Sequence, residues 1–275
     1  MRVMARQKRF VRFRNWVQVA FLALWLNPLL YLPGVCGAVY HCHACPASAF
    51  ACPIGVAANF SAWHLFPFVV VGLLLVVAMS SGSLVCGWAC PFGLLQDLLA
   101  KVPTPKLRIP SWMSVGRYVV LGGLVIAAPF FLGEDSGLFI CRLCPTGTLE
   151  AAFPEAAKTG VLPSTPRLVI LGLLLVAVLF HRRPWCRVLC PLGGLLALGN
   201  RWSLFRLRWD EARCTHCGAC AKACPYGVEL PAGVSSARCV RCLECTALKC
   251  GALSATGMGE TPEACAPAEA APAAR

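Results

Sequence analysis

Four long apolar stretches punctuate the chain, separated by polar, basic or cysteine-bearing segments. The first covers residues 16–32 and follows a basic run. The second, residues 65–85, is about as long as a helix needs to cross a bilayer. The third, residues 118–132, is shorter and contains Pro129. The fourth, residues 168–180, has a length at which a buried core helix is the ordinary reading. Arg167 and the His181-Arg182-Arg183 group flank it, however, and long basic side chains that reach the interface let a short helix span. The pattern therefore predicts a mainly α fold whose larger part is a four-helix transmembrane bundle. Beyond it, residues 201–213 alternate in polarity, which suggests a strand or an interfacial stretch beside anionic lipid; an ordinary solvated linker fits as well. Residues 261–275, rich in Ala, Pro and Glu, read as disordered. The expected division is a basic cytoplasmic tail (1–15), a membrane domain (16–200), a small α+β domain (201–252) and a disordered tail (253–275).

Composition agrees with that division. Of 275 residues 58% are hydrophobic and only 13% charged, against about 25% charged in ordinary soluble domains. A formal net charge of +13 would suit a nucleic-acid partner, but its distribution argues for none. Six of the 25 Lys and Arg fall in the first 14 residues (Arg2, Arg6, Lys8, Arg9, Arg12 and Arg14), and none lies between Val35 and Leu65. That is the positive-inside bias of a multi-pass protein. The first apolar stretch lacks a small-residue cleavage site and three more follow it, so it reads as a signal anchor rather than a signal peptide. An even number of spans puts both termini in the cytoplasm of a bacterium, with the chain in the inner membrane. Lys101, Lys106, Arg108, Arg182, Arg183 and Arg187 then share the cytoplasmic face, and residues 33–64 and 133–166 lie outside.

The 19 cysteines supply the chemistry. Cys214, Cys217, Cys220 and Cys224-Pro225 have the C-x2-C-x2-C-x3-C-P spacing of bacterial ferredoxins, in which the fourth cysteine serves the other cluster. Cys239, Cys242 and Cys245 follow, then Cys250, which lacks the proline and fits the pattern least. The spacing predicts one [4Fe–4S] cluster on Cys214, Cys217, Cys220 and Cys250, and a second on Cys224, Cys239, Cys242 and Cys245. A zinc module would use ligand pairs, not three cysteines two apart with a fourth before Pro. A disulfide framework does not suit a cytoplasmic segment.

Eight more cysteines form an internal repeat. Cys42-His43-Ala44-Cys45-Pro46 matches Cys141-Arg142-Leu143-Cys144-Pro145, and Cys86-Gly87-Trp88-Ala89-Cys90-Pro91 matches Cys186-Arg187-Val188-Leu189-Cys190-Pro191, offset by 99 and 100 residues. The membrane domain is then two tandem repeats, about 16–100 and 115–200, packed about an axis along the membrane normal. Each motif offers two thiolates, half of what a cubane takes. Packing the repeats together predicts an inner cluster on Cys86, Cys90, Cys186 and Cys190, and an outer one on Cys42, Cys45, Cys141 and Cys144.

Three cysteines are left over. Cys36 and Cys52 lie outside, where they suit a disulfide; alternatively Cys36, Cys42, Cys45 and Cys52 form a site within one loop, stranding Cys141 and Cys144. Cys265 sits in the tail and is given no role. His41 and His43 flank Cys42 and are candidates for an outer metal site, although a loop histidine is more often without function. No C-x-x-C-H occurs, so covalent haem is not indicated; non-covalent haem on His64 or His181 stays open. There is no dinucleotide fingerprint and no P-loop. Asp97, the one carboxylate after the first inner motif, reads as a solvated helix-end residue, with proton exchange with a quinol as the alternative.

The motifs Cys86-Gly87-Trp88-Ala89-Cys90-Pro91-Phe92-Gly93, Cys144-Pro145-Thr146-Gly147-Thr148-Leu149-Glu150 and Cys186-Arg187-Val188-Leu189-Cys190-Pro191-Leu192-Gly193, followed by the double ferredoxin run, resemble the NapH-type membrane polyferredoxins. Relatives include the membrane part of NosR. The resemblance covers about residues 10–252 and implies four membrane helices, cytoplasmic CxxxCP motifs, a cytoplasmic two-cluster domain, and electron transfer with the quinone pool or a partner reductase. Two departures matter: relatives carry CxxxCP where this chain has Cys141-x2-Cys144-Pro145, and the flavin-binding domain of NosR is missing. The expected role is an iron–sulfur electron carrier, a quinol dehydrogenase or electron-transfer subunit of an oxidoreductase complex. The competing role is a maturation factor that reduces or delivers a metal such as copper to an exported enzyme. A hydrocarbon core about 30 Å thick is too wide for one useful tunnelling step, so either the clusters sink into the bundle or a haem or quinone bridges the gap.

Overall fold

The computed structural model describes residues 2–25, 52–153, 156, 159–248 and 252–255. Within them the chain is mainly helical, with one small antiparallel sheet. The helices are α1 (Arg2–Trp25), α2 (Pro53–Ala62), α3 (Phe68–Ser80), α4 (Leu84–Trp88) and α5 (Pro91–Leu99). Next come α6 (Ser111–Leu132) and the short α7 (Ile140–Leu143) and α8 (Pro145–Gly147). After these come α9 (Thr165–Phe180), a widened π turn at Trp185–Leu189, α10 (Pro191–Leu198) and α11 (Ala219–Ala223).

Among the described residues α6, with 22 residues, is the one helix long and apolar enough to cross a membrane. Helices α3 and α9 are apolar but shorter. At 1.5 Å per residue the 16 residues of α9 span roughly 24 Å, less than a hydrocarbon core. The first expected span, 16–32, lies partly outside the described residues. A bundle of four crossing helices is thus finer than what the described residues display. All three apolar helices nonetheless present large hydrophobic side chains outward, among them Phe68 and Val76 on α3, Val119 and Phe131 on α6, and Leu173 on α9.

Three expectations change. The basic segment 1–15 is no separate tail, because α1 runs unbroken through residue 16. Its Arg14 is buried and bonds Asp97 at 2.6 Å and Glu244 at 2.9 Å, while Gln18 donates to Gly87 O at 3.0 Å. Nor does the ordered chain stop at 252. Strand β1 (Leu207–Trp209), foreshadowed by the alternation of residues 201–213, pairs antiparallel with β2 (Leu253–Ala255), Leu207 opposite Ala255. Leu253 and Ala255 are held there by burial against Leu207, Leu243 and Trp88.

Asp97 is the third correction, being ion-paired rather than solvated. It accepts from Arg14, from Arg183 through both oxygens (2.8 and 2.5 Å), and from the Tyr226 hydroxyl at 3.3 Å. Arg183 is fully buried, lies over the Tyr226 ring, and donates to Cys86 O at 2.7 Å. One carboxylate therefore ties α1, α5, the segment after α9 and the C-terminal domain together. Removing one partner of a buried ion pair leaves the other charge uncompensated, at about 3–5 kcal/mol. Asp97→Ala should lower stability by that amount in detergent-solubilised protein followed by thermal unfolding. Asp135→Ala, which removes the exposed partner of Arg142, should leave the transition unmoved.

Candidate iron–sulfur centres

The Cys-Pro pairs dictate their own geometry. Proline fixes φ and has no N–H to lose, which suits the first position of a helix, and it pushes the preceding residue into extended backbone. Cys90 (φ −71°, ψ 116°), Cys144 (φ −74°, ψ 117°) and Cys190 (φ −69°, ψ 111°) share that conformation, each as the N-cap of the helix that follows. The sulfur then faces backbone amides: Gly193 N donates to Cys190 Sγ at 3.4 Å. Glycine recurs three residues after the cysteine for a steric reason. A Cβ on Gly93 would sit 3.2 Å from Cys86 O, and one on Gly193 3.1 Å from Cys186 O. The two inner motifs thus repeat the same local packing.

The structure brings the inner cysteines together. Cys90, Cys186 and Cys190 lie in one apolar cluster with Phe92, Trp185 and Leu174, and Cys86 and Cys186 line a common cavity. Cys86, Cys90 and Cys186 are all within electrostatic reach of Cys190. The buried Gln96 donates to Cys186 Sγ at 3.2 Å, a contact that sequence reasoning missed because glutamine on a helix face carries no signature. Of the expected outer set, Cys141 and Cys144 are described, whereas Cys42, Cys45, His41 and His43 lie outside the described residues, as do Cys36 and Cys265. Cys144 packs in the same apolar cluster as Cys90, Cys186 and Cys190.

In the C-terminal domain Cys224, Cys239, Cys242 and Cys245 line a single cavity. Cys214, Cys217 and Cys220 wrap a neighbouring loop; Cys250 lies outside the described residues. The two loops are built alike. His216 (φ 53°) and Gly218 (φ 69°) bracket Cys217, and Arg241 (φ 51°) and Leu243 (φ 64°) bracket Cys242. Left-handed backbone costs a non-glycine residue roughly 1–2 kcal/mol, yet it turns successive amides toward the sulfurs as an anion-binding nest. The Ala219 amide, followed by the Thr215 hydroxyl, draws the half-buried Cys217 thiol down. Burial pushes the Cys242 thiol up to about 12. Cys242 is accordingly protonated at neutral pH until a metal displaces the proton.

The C-terminal domain docks directly on the first inner motif. A Cβ on Gly87 would meet Val240 O at 2.4 Å and Arg241 O at 3.2 Å, so only glycine permits this approach. Trp88 Nε1 donates to Arg241 O at 3.2 Å, the Ser83 hydroxyl to Cys239 O at 2.6 Å, and Asn200 Nδ2 to Cys239 O at 2.9 Å. Arg241, fully buried, returns bonds to Ser81 O (3.0 Å) and Asn200 O (2.6 Å). The inner motif and the Cys239–Cys242 loop are therefore in van der Waals contact.

Charge decides what these cysteines suit. Arg117, Arg187 and Arg241 are buried beside the motifs, and among the described residues none has a carboxylate partner. Arg187 is within reach of Cys224, and Arg241 of Cys239. Unpaired buried cations are costly; thiolate-bound iron–sulfur cubanes, which are anionic, would supply the missing charge. Among the described residues no three ligating side chains converge on a point as they would around a single ion. A cubane does not ask for that, since its four thiolates bind four separate irons. His64 stacks on Phe130 and His181 Nδ1 lies 3.1 Å from Leu107 O; they sit at opposite ends of the apolar helices and do not face one another.

This is the site of a ferredoxin-type iron–sulfur protein, and comparison with known families bears that out. A family described as a 4Fe-4S binding domain matches twice, over residues 63–110 and 164–210, once around each inner motif, and a second family of the same description matches residues 207–228. These matches support a likeness to the NapH-type 4Fe–4S ferredoxin-like proteins. It is 28% identical to the ferredoxin-type protein NapH of Haemophilus influenzae, over 79% of this chain and 75% of that one. An uncharacterised protein of Methanocaldococcus jannaschii is 29% identical over 66% of this chain and 68% of its own. The regulatory protein NosR of Pseudomonas aeruginosa is 32% identical over 58% of this chain but only 22% of NosR. No solved structure matches.

Gly87→Ala should force the docked loop away while leaving both sets of cysteines in place. Overpacking of this kind costs about 1–3 kcal/mol. Hydrogen exchange at residues 239–242 should rise in the variant, with exchange in α9 unchanged.

Proposed function

We propose that this iron–sulfur electron-transfer protein is a membrane-embedded wire. In it Cys224, Cys239, Cys242 and Cys245 hold one [4Fe–4S] cluster, Cys86, Cys90, Cys186 and Cys190 a second, and Cys214, Cys217 and Cys220, with Cys250, a third. The clusters supply one-electron chemistry without proton transfer. The observation that carries the reading is the contact of Gly87 with Val240 and Arg241, which sets two groups of four cysteines side by side. The half-exposed Cys214–Cys220 loop supplies the surface at which a soluble redox partner meets the chain, while the buried Cys242 and Cys245 face inward.

A bilayer suits the outward-facing side chains of α3, α6 and α9, whose apolar surface exceeds what soluble proteins leave bare. The Arg14–Glu244 ion pair joins the middle of α1 to the C-terminal domain, which supports a reading with both termini in the cytoplasm. Electrons pass between a quinol or cytoplasmic donor and a partner redox enzyme. Cys144, packed among the inner cysteines, favours clusters sunk within the helices over a bridging haem.

Titration of the purified protein with menaquinol analogues tests the donor: reduction of the clusters is expected, and clusters that stay oxidised under a strongly reducing pool reject it. A deletion strain separates transfer from maturation. An intact but electron-starved partner enzyme is the expected phenotype, and a partner lacking its metal would favour maturation instead. Gln96→Leu removes an N–H···S bond to Cys186, and such bonds favour the more negative, reduced state. The midpoint potential of the inner centre should fall by about 20–60 mV, the one-electron equivalent of a hydrogen bond worth roughly 0.5–1.5 kcal/mol.

A further inference from the structure

Cys52, left without a settled role by its spacing, has the geometry of a motif cysteine. Cys52-Pro53-Ile54-Gly55 has the same Cys-Pro-x-Gly form as the segments beginning at Cys90, Cys144 and Cys190. Cys52 is the N-cap of α2, Pro53 opens the helix, and Gly55 N donates to Cys52 Sγ at 3.3 Å, as Gly193 N does to Cys190 Sγ at 3.4 Å. The sulfur is aimed at a partner. A Cβ on Gly55 would lie 3.3 Å from Cys52 Sγ and 3.3 Å from Cys141 Sγ, so both sulfurs border the same space beside a residue with no side chain. Cys144 completes the group, for both Cys52 and Cys144 lie within electrostatic reach of Cys141.

This approach is built into the fold. Ile54 and Ala58 of α2 pack with Val125, Phe139 and Ile140, which fixes the helix N-terminus against the turn that carries Cys141. Ser61 Oγ donates to Ile126 O at 2.9 Å and ties the C-terminal end of α2 to α6, while Asn59 Nδ2 donates to Gly55 O at 2.9 Å within α2 itself.

We infer that Cys52, Cys141 and Cys144 are three thiolates of one outer iron–sulfur site, distinct from the inner centre. The inference rests on the reading of the chain as a multi-cluster carrier. It changes the outer ligand set suggested by the repeat, because the partner that α2 delivers to Cys141 is Cys52. Each thiol loses its proton to solvent and the thiolate so formed donates an electron pair to an iron of an incoming iron–sulfide cluster, so that S–H is exchanged for S–Fe and no oxidant is needed.

The test uses full-length protein purified without oxygen, with Cys52→Ser, Cys141→Ser, Cys144→Ser and the double Cys52→Ser/Cys141→Ser. Iron is counted and low-temperature EPR spectra are taken after dithionite reduction. Each single variant should lose the same spectral component and the same share of iron, and the double variant no more than either single. Alkylation of the native protein, mapped by mass spectrometry, should find Cys52 and Cys141 protected together and exposed together after chelation. That measurement needs no variant and stands if a variant fails to fold. A Cys52→Ser protein with its full iron and spectrum overturns the inference, as does a Cys52 engaged in a disulfide in the native chain. Wild-type protein with no iron at all would instead sink the carrier reading on which the inference rests.

Discussion

Arg183 is the residue on which the arrangement turns. It comes from the second repeat, yet it grips both carboxylate oxygens of Asp97 and the carbonyl of Cys86, which belong to the first. Its guanidinium plane lies over Tyr226 of the C-terminal domain. A fully buried guanidinium pays a desolvation penalty of several kcal/mol unless bonded on all sides, and here only the assembled set of elements bonds it. Each inner motif offers two thiolates, so a four-cysteine site exists only if the repeats meet. The Arg183–Asp97 clamp is what holds them in register, with Arg14 bringing α1 to the same carboxylate.

The cysteines suited to clusters were legible because iron–sulfur ligation demands fixed spacings and Pro-led caps. The same logic exposed the repeat, and two matches to one family at an offset close to the repeat length agree with it. Partner choice was less legible. Spacing pairs Cys45 with Cys144 by analogy, while packing of α2 sets Cys52 against Cys141; the one available clue was the Pro-x-Gly after Cys52. Asp97 was misread because a lone carboxylate near a helix end is usually solvated, and nothing local announces two arginines arriving from residues 14 and 183. The short strand at 253–255 was lost to the tail because three residues carry too little pattern to mark a partner over forty positions away.

Width was the physical objection to a wire through a bilayer. The apolar cluster that contains Cys90, Cys186 and Cys190 also contains Cys144, with Leu149 and Leu174 among its members. Leu192 and Leu195, just beyond the inner motif, pack in the cluster that contains Cys141. Inner and outer cysteines thus share their packing. The buried arginines would lower the cost of placing anionic iron–sulfur centres beside one another.

The account stands or falls on whether neighbouring groups of four cysteines hold iron at the same time. Iron analysis and EPR of one oxygen-free, full-length preparation test this directly. The three cubanes of the proposed wire alone require about twelve irons per chain, to which an outer site would add, and the contact at Gly87 predicts that the reduced spectrum is broadened by interaction between adjacent centres. Colourless protein, or about eight irons giving only sharp, non-interacting signals, would contradict it.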